Sequence, residues 1–503
     1  MSDLIRPLGE YLSLLEQEGL LAGPVPDGLD RSAPVALVSC DSRNVVPGTL
    51  FLCKGSHFRE EFLEAARERG AFLYAGEALY PDCPLPGLRL TDLRRAMALL
   101  ADLCYGHPSG RLNVVGFTGT KGKSTSAYYL KSVLDAWRAS LGEGETGVIS
   151  SIDTYDGVER FESHLTTPEP LDLQRHLAHA ADAGLEYLTM EVSSQALKYH
   201  RTLCTRFAAA CFLNIGYDHV SPVEHPDFED YFASKLKLFA QSEVNCVNLD
   251  SDHAGRILEA ARQAGKPVFT FSQRDPQADV YASQVRKEDG QTVFHVRTPQ
   301  YERELRLTMP GLFNVENALG VIAVCHALHV PPSAVYDGLV RARVPGRMET
   351  YANADGSLHA IVDYAHNRLS FETLFRSVRA EYPGREMAIV FGCPGTATGI
   401  WGRPPGAGAT GSTSLRRTAE RRTPWTSAGR SPPMWRRRAV LFASSPTGER
   451  PSDRRCWTAP DPRCCSSPAR GGRPARSVGP PISIPLPMWS MPRPSSRSTT
   501  CAG

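Results

Sequence analysis

The chain has 503 residues, enough for about three domains of ordinary size, and 42% of them are hydrophobic, as in a water-soluble globular protein. No apolar stretch approaches the ~20 residues of a membrane-spanning helix, and the acidic, amphipathic segment at residues 1–21 excludes a signal peptide. We therefore expect a cytoplasmic protein without membrane contact. The thirteen cysteines are dispersed without CxxC pairs, which indicates buried free thiols and no zinc site.

The net charge of +2 hides an uneven distribution. Residues 396–503 contain 18 Arg and 4 acidic residues, a balance of +14, so residues 1–395 carry −12. Such an asymmetry in charge indicates that residues 1–395 and residues 396–503 are different types of polypeptide segment.

Predicted strands and helices alternate along the chain up to about Gly395. The runs typical of buried strands are LNVVGF, EYLTMEV, FAAACFLNI, VNCVNL and PVFTFS. Helical spacing is found between several of them, in LDLQRHLAHAADAG and EDYFASKLKLFAQS. This alternation predicts an α/β protein with a mostly parallel sheet covered by helices.

A further set of elements follows the segment VPGRMET. It comprises the strand LHAIVDYAH, the helix SFETLFRSVRAEY and the strand EMAIVFG. We place domain boundaries near residues 106 and 345, which predicts four regions: 1–106, 107–345, a fragment at 346–395, and a tail at 396–503.

The tail has an unusual composition. It contains no Lys, Tyr or Asn, but it holds five of the six Trp and 17 of the 39 Pro. Leu, Ile, Val and Phe total nine, about 8% of the segment, well below the ~20% under which a core is not expected. A disordered tail and an Arg-rich RNA-binding tail are two interpretations. The Trp content favours a third, a frameshift close to Gly395 in a GC-rich gene, and in each case we expect little regular structure.

The stretch GFTGTKGKSTSAYY, residues 116–129, links an apolar run to a helical pattern. Strand, Gly-rich turn, Lys-Ser and helix is the arrangement that presents backbone N–H groups to phosphates. Lys123 would reach the terminal phosphates and the Ser124 hydroxyl would bind Mg²⁺. The strict pattern requires Gly at position 117, which is Phe, so an ordinary Gly-rich turn is the alternative.

Eight further motifs accompany this loop in a fixed order. TGTKGKST resembles the ATP loop of the Mur ligase family, the ATP-dependent amide-forming enzymes of peptidoglycan synthesis, and residues 39–71 resemble the nucleotide-sugar-binding domain of its MurE branch. The motifs that follow are HLTTPEPLDL, MEVSSQALKYHR, LNIGYDH, HPDFEDYFASKLKLF, GLFNVENALGVIAV, VPGRMETY, VDYAHN and VFGCPG. The resemblance covers residues 30–395 almost continuously.

The resemblance implies a three-domain α/β architecture with a central P-loop parallel-sheet domain, and a truncated third domain here. It also implies a reaction, the ATP-dependent addition of the third amino acid, L-lysine or meso-diaminopimelate, to UDP-MurNAc-L-Ala-D-Glu through an acyl phosphate. The expected partners are that nucleotide dipeptide and a free amino acid. We expect a monomer that binds no nucleic acid.

Candidate ATP and metal residues follow from the loop and from the resemblance. Glu191 ends a predicted strand, where a carboxylate points into the ligand crevice of an open α/β sheet. The resemblance adds His219 to the metal shell and makes Lys235 a CO₂-derived carbamate, N6-carboxylysine, that helps to bind a second Mg²⁺. Lys123, Glu191, His219 and Lys235 are the predicted catalytic residues, and Ser124, Glu191, His219 and Lys235 the predicted metal ligands. The predicted ATP contacts are Thr118, Gly119, Thr120, Lys121, Gly122, Lys123, Ser124, Thr125, Asn314, Asn317, Arg347, Asp363 and His366.

The acceptor substrate also has candidate contacts by resemblance. Ser42 and Arg43 match uridine-contacting positions, and Thr166 and Thr167 match positions that hold the dipeptide. Further contacts are expected from Ser193, Tyr199 and Arg201. An Arg suits a carboxylate or phosphate because it can pair with it through two hydrogen bonds.

The resemblance ends at VFGCPG. The branch continues toward a DNPR motif that grips the incoming amino acid, whereas here TATGIWGRPPGAG follows and DNPR is absent from the sequence. Three hypotheses remain: an active ligase, a defective product that binds UDP-MurNAc-dipeptide without ligating, and a P-loop NTPase with a basic nucleic-acid-binding tail. The DSR block and LTTPE argue against the third. Lys121 and LTTPE favour the lysine-adding branch.

Overall fold

In the computed structural model, the described residues are 5–55, 58–222, 224–365, 368–390 and 439–444. The N-terminal part forms a four-stranded parallel sheet in the order β3-β4-β5-β6, with a two-stranded ribbon of β1 and β2 beside it. Its elements are β1 Arg6–Pro7, α1 Leu8–Gln17, β2 Pro34–Val35, β3 Leu37–Ser39, β4 Thr49–Leu52, α2 Glu60–Glu68, β5 Ala71–Gly76, β6 Gly87–Arg89 and α3 Leu93–Cys104. Helix α1 buries Leu8, Tyr11, Leu12 and Leu15, the spacing of one helical face.

Eleven strands form the central sheet of the described chain, in the order β10-β9-β8-β11-β7-β12-β13-β14-β15-β16-β17. The strands are β7 Asn113–Thr118, β8 Gly147–Ile149, β9 Asp153–Tyr155, β10 Arg160–Glu162, β11 Tyr187–Glu191, β12 Ala209–Phe212, β13 Asn245–Asn248, β14 Val268–Ser272, β15 Val280–Glu288, β16 Gln291–Arg297 and β17 Glu302–Leu307. The helices are α4 Lys123–Ser140, α5 Pro170–Asp182, α6 Ser194–Lys198, α7 Phe228–Leu236, α8 Ala254–Gln263, α9 Asn314–Ala327 and α10 Pro332–Arg341.

The middle of this sheet is parallel, as the sequence predicts. Strand β7 supplies Val115 and Phe117 to a core shared with α4 and α9, while Val114 packs on the other face with Leu173 and Leu177 of α5. A strand buried on both faces needs a continuous apolar run, which is why LNVVGF stands out in the sequence. Antiparallel pairing is confined to the two ends, at β8-β9-β10 and β15-β16-β17. The prediction of an α/β fold with a mostly parallel central sheet is confirmed.

The C-terminal sheet has the order β18-β19-β21-β20, and all its pairings are antiparallel. Its elements are β18 Glu349–Ala352, β19 Leu358–Asp363, α11 Arg368–Glu381, β20 Glu386–Val390 and β21 Ala439–Ser444. Ile361, Phe371, Leu374 and Val378 form its small core with Met348 and Ile389.

The expectation of little regular structure in the tail did not include β21. This strand lies between β19 and β20 and pairs with both. The mean composition of 108 residues hid a local run, AVLFAS, that holds three of the nine Leu, Ile, Val and Phe residues of the tail. Backbone pairing needs only a short β-compatible segment, so a low average apolar content does not exclude a strand. The rest of the tail lies outside the described residues.

Within the described part of the chain, no helix combines the length and the apolar character that crossing a lipid bilayer requires.

A pair of truncated chains tests the place of β21 in the sheet. A chain that ends at residue 448 retains the strand, and one that ends at residue 438 lacks it. We expect faster hydrogen exchange of the β19 and β20 amides in the shorter chain, because both strands lose their shared partner. Equal protection in the two chains would show that β21 is not paired in solution.

Candidate active site

The loop between β7 and α4 has a backbone conformation that depends on glycine. Gly122 has φ 87°, in the left-handed region, and α4 begins at the next residue. A Cβ atom on Gly122 would also collide with the Asn317 side-chain oxygen. Asn317 donates to Asn314 Oδ1 at 3.1 Å, and Asn314 donates to the Pro310 carbonyl at 2.7 Å. The predicted adenine-side residues therefore pack directly against the loop.

Lys123 folds back over this loop. Its Nζ donates to the carbonyl oxygens of Gly119 at 2.8 Å and Thr120 at 3.3 Å. Burial lowers the pKa of Lys123 to about 8, and the nearby Glu191 carboxylate opposes that effect. The side chain is thus held among polar groups at the N-terminus of α4, where a phosphate would be favoured.

Lys235 of α7 reaches the same carbonyl group. Its Nζ donates to Gly119 O at 2.9 Å and lies 4.8 Å from the centre of the Tyr231 ring. Only 1% of the residue is exposed. Burial, with Lys123 nearby, holds the pKa of Lys235 well below its ordinary value, which favours a neutral amine. Lys235, predicted as a metal ligand, thus lies beside the phosphate loop, and its predicted carbamate stays a prediction.

Ser124 and Glu191 are joined through Ser151. Ser151 donates to Glu191 Oε1 from its backbone N at 2.7 Å and from its hydroxyl at 2.9 Å, and the hydroxyls of Ser151 and Ser124 are 3.2 Å apart. Arg347 donates to Ser124 Oγ at 3.0 Å. A hydroxyl and a carboxylate within one small cluster form an all-oxygen donor set, which fits Mg²⁺.

A second cluster of polar side chains lies around His219. The His219 Nδ1 atom is 3.1 Å from Glu224 Oε2, and the ring packs against Tyr231. The backbone of His219 has φ 57°, and its side chain is 42% exposed. Lys121 forms an ion pair with Asp218 at 3.1 Å. Burial lowers the pKa of His219, which favours the neutral ring that a metal ligand requires.

The remaining predicted ATP residues have mixed environments. Thr120 Oγ1 accepts from Gly216 N at 2.9 Å and lies 3.0 Å from the Tyr231 hydroxyl, while Thr118 and Thr125 are buried in β7 and α4. Asp363 accepts from the backbone N atoms of Met348 and Ala365, so its carboxylate is engaged by the linker segment. The adjacent Tyr364 packs against the Arg347 guanidinium at 4.5 Å. His366 lies outside the described residues.

The predicted acceptor residues form a cluster next to Glu191. Thr167 Oγ1 donates to the backbone carbonyl of Glu191 at 2.9 Å, and Ser193 N donates to Thr167 Oγ1 at 3.1 Å. Arg201 donates to Thr167 O at 3.0 Å. Among the described residues, the buried Arg201 Nε has no hydrogen-bond partner, although the guanidinium also pairs with Glu169 at 2.7 Å.

Arg201 also takes part in an ion-pair network that extends to the N-terminal part. Glu169 lies between Arg201 and Lys54, at 2.7 Å from each. Tyr199 packs under the guanidinium of Arg94, 3.9 Å from its ring centre. Thr166, next to Thr167 in the chain, is half-buried.

Ser42 and Arg43 lie in a short 3₁₀ helix, Ser42–Asn44, just after β3. The Arg43 side chain is 82% exposed and pairs with Asp41 at 2.6 Å, so it faces solvent with its charge already partnered. The carbonyl of Ser42 accepts from Arg69 at 3.0 Å. Their predicted uridine contacts stay predictions.

Sequence reasoning missed Ser151, Asp218, Glu169 and Lys54. Asp218 and Glu169 stand inside the motifs LNIGYDH and HLTTPEPLDL, so the signal was present but was not assigned to them. Ser151 follows the short strand β8, and its position opposite a strand-end carboxylate emerges only from the pairing of β8 with β11. Lys54 meets Glu169 across 115 residues of sequence, a contact that no local pattern predicts.

Comparison with known proteins identifies the family of the chain. Residues 117–325 match the Mur ligase middle domain, and residues 346–399 match the Mur ligase glutamate ligase domain. The UDP-N-acetylmuramoyl-L-alanyl-D-glutamate–L-lysine ligase of Enterococcus faecalis is 37% identical over 401 residues, 78% of this chain and 75% of that protein. A UDP-N-acetylmuramyl-tripeptide synthetase of Lactobacillus delbrueckii subsp. bulgaricus is 37% identical over 387 residues, covering 73% of this chain and 74% of its own.

Solved structures agree at the level of fold. A UDP-N-acetylmuramoyl-L-alanyl-D-glutamate–2,6-diaminopimelate ligase aligns with a TM-score of 0.62 and 22% identity, covering 78% of each chain. The fold and the phosphate loop together define an ATP-dependent ligase class. The chain belongs to the Mur ligase family.

Replacing Ser151 with Ala tests the link between Ser124 and Glu191. The change removes one hydrogen bond to Glu191 Oε1 and the contact with the Ser124 hydroxyl. We expect Mg²⁺-dependent ATP binding, measured by calorimetry, to weaken about 10- to 100-fold, as when a group that orients a metal ligand is lost. Ser140→Ala at the exposed end of α4 is the matched control, and equal affinities in the two variants would refute the link.

Proposed function

We propose that this chain is built for the ATP-dependent addition of the third amino acid to UDP-MurNAc-L-Ala-D-Glu in peptidoglycan synthesis. The two contacts of Glu191 are the observation that supports the proposal most directly. Its carboxylate accepts from Ser151 beside the phosphate loop, and its backbone carbonyl accepts from Thr167 in the acceptor cluster. One residue thus joins the predicted phosphate loop to the predicted acceptor cluster, and such proximity supports the transfer of a phosphoryl group to a bound carboxylate.

The charge of each predicted site residue indicates which part of the substrates it would bind. Lys123 and Arg347 lie where they would neutralise the β- and γ-phosphates. When bound, Mg²⁺ supplies further neutralisation of the phosphates; Ser124 and Glu191 would hold it, oriented by Ser151. Thr167, Ser193 and Arg201 would hold the acceptor so that its carboxylate meets the γ-phosphate in line. Asn314 and Asn317 would support the adenine side.

We further propose that Lys235 carries the carbamate of the family. A carbamate forms only on a neutral amine, and the buried setting of Lys235 supplies one. The modification would turn this neutral amine into an anion beside Lys123 and, with His219, would provide ligands for a second Mg²⁺. The Nζ atom is held 2.9 Å from Gly119 O, directly at the phosphate loop.

L-Lysine is the amine that we propose as the third residue. The Enterococcus faecalis relative is named as the L-lysine ligase, and a Streptococcus thermophilus relative of 35% identity bears the same name. We also propose that the protein acts as a cytoplasmic monomer without nucleic acid.

A second candidate function is substrate binding without turnover. The sequence holds no DNPR motif, and the match to the glutamate ligase domain ends at residue 399. The frameshift hypothesis explains both facts. It predicts that the binding residues up to Arg347 operate while the amine pocket is missing.

An assay of the full chain separates the two candidates. We expect binding of UDP-MurNAc-L-Ala-D-Glu, but tripeptide formation with ATP and L-lysine slower by several orders of magnitude than that of an intact relative, because positioning supplies about 7–11 kcal/mol of such a barrier. The assay follows tripeptide by mass spectrometry, with meso-diaminopimelate as the competing amine. Turnover near ~1 s⁻¹ would establish the active ligase and overturn the frameshift hypothesis. No binding of the dipeptide would refute both candidates.

Removal of CO₂ tests the carbamate at Lys235. We expect Mg²⁺-dependent ATP binding to weaken when dissolved CO₂ and bicarbonate are stripped from the buffer, and to recover when bicarbonate is restored. A Lys235→Gln variant should have the weak affinity in both buffers, because an amide cannot be carboxylated. If the ATP affinity of the Lys235→Gln variant depends on CO₂ as strongly as that of the parent, the effect belongs to another group.

A further inference from the structure

Four potential metal-ligating side chains meet away from the phosphate loop, at Asp156, Glu159, His176 and His179. We call them the Asp156 cluster. Asp156 and Glu159 lie between β9 and β10, and the two histidines lie one turn apart on the same face of α5. One ligand atom from each of the four side chains lies within 4.8 Å of the others.

The Asp156 carboxylate is the centre of the cluster. Its Oδ1 accepts from the backbone N atoms of Val158 at 3.0 Å and Glu159 at 2.7 Å. Its Oδ2 faces the Nδ1 atoms of His176 at 2.6 Å and His179 at 2.9 Å. Both distances are those of hydrogen bonds, so Oδ2 accepts from the two rings in this structure, and a cation would have to replace the two ring protons and move the three atoms apart.

The burial and the charge of the side chains in the Asp156 cluster favour the binding of a cation. The side chains of Asp156 and His176 are 0% and 3% exposed, whereas Glu159 closes the solvent side at 44%. Burial raises the pKa of Asp156, but the hydrogen bonds from His176, the loop backbone and His179 outweigh it, so the pKa lies well below its ordinary value and the carboxylate stays charged.

Arg175 orients the fourth side chain. It donates to Glu159 Oε2 at 2.8 Å, and that contact leaves Oε1 for another partner. An arginine paired with a ligating carboxylate is a common arrangement around metal ions, since such partners fix the direction of the ligand.

We propose that the Asp156 cluster binds a divalent transition-metal ion, with Zn²⁺ as the preferred species. Two imidazole nitrogens and two carboxylate oxygens form a four-ligand set of the kind that Zn²⁺ takes in tetrahedral geometry. Binding requires an unprotonated Nδ1 on both rings, so a neutral ring moves its Nδ1 proton to Nε2 and a charged ring releases it to solvent as the ion enters. At His176 the Arg175 guanidinium, 3.4 Å from Nε2, has to move away for Nε2 to carry the proton. No bond to carbon forms or breaks, and no electron is transferred.

The ion would connect two elements that flank the acceptor loop. The β9–β10 hairpin precedes residues 163–169, and α5 follows them, and this loop carries Thr166, Thr167 and Glu169. Holding the hairpin to α5 would fix both ends of the loop. This consequence rests on the proposed function, whereas metal binding itself does not.

Titration of the full-length chain with Zn²⁺ and with Co²⁺ tests the proposal without ATP or acceptor. We expect Glu159→Gln and His179→Gln each to weaken binding at least ~10-fold, the effect of losing one ligand, while the control variants Glu259→Gln and His295→Ala bind as the parent does. Glu159 lies on the surface, so its variant keeps the test valid even if a histidine variant is unstable. Zn²⁺ should raise the melting temperature of the parent and of both controls, and should raise it less in the cluster variants.

Co²⁺ distinguishes this cluster from the cysteines. A tetrahedral site of nitrogen and oxygen ligands gives intense visible bands without the thiolate charge-transfer band of cysteine ligation. Loss of those bands in Glu159→Gln supports the proposal. Three results overturn it: equal affinity in cluster and control variants, a thiolate spectrum, or no effect of Zn²⁺ on melting while the variants alone are destabilised. The last result would make the cluster a hydrogen-bonded network that binds no metal ion.

Discussion

The carbonyl oxygen of Gly119 accepts hydrogen bonds from two lysine side chains, the half-buried Lys123 and the buried Lys235, and the candidate active site is organised around this contact. Placing two amines close together away from water is costly, and the pKa of each falls accordingly. Glu191 and Asp218 are the nearby carboxylates that offset part of the cost. An anionic ligand such as a triphosphate would offset more of that cost.

Arg347 adds a third cation to the same region. It lies in the linker between the central and C-terminal sheets, contacts Ser124 at 3.0 Å, and packs against the Tyr364 ring. This one linker residue therefore contacts both the first turn of α4 and the segment that follows β19, so it connects the phosphate loop to the C-terminal sheet.

Local patterns in the sequence predicted the elements that are buried on both faces. The runs LNVVGF and EYLTMEV become β7 and β11, whose parallel pairing places the loop and Glu191 at the same edge of the sheet. The antiparallel strands β15 to β17 were not predicted, because their burial alternates and charged residues interrupt them. Ser151 and Lys54 were missed because their roles come from strand pairing and from a contact between distant segments, which single-sequence patterns do not contain.

The C-terminal sheet shows that a strand position in a fold places weaker demands on the sequence than a binding pocket does. Strand β21 enters between β19 and β20 after a stretch of 48 residues, and both neighbours pair with its backbone. Backbone hydrogen bonds are available to any short extended segment of adequate β propensity, so many sequences could occupy that position. An amine pocket instead needs particular charged side chains at fixed positions, and the sequence after Gly395 does not contain the DNPR motif that supplies them in the branch it resembles. A C-terminal sheet of four strands is therefore compatible with a chain that binds its nucleotide substrates and turns them over slowly.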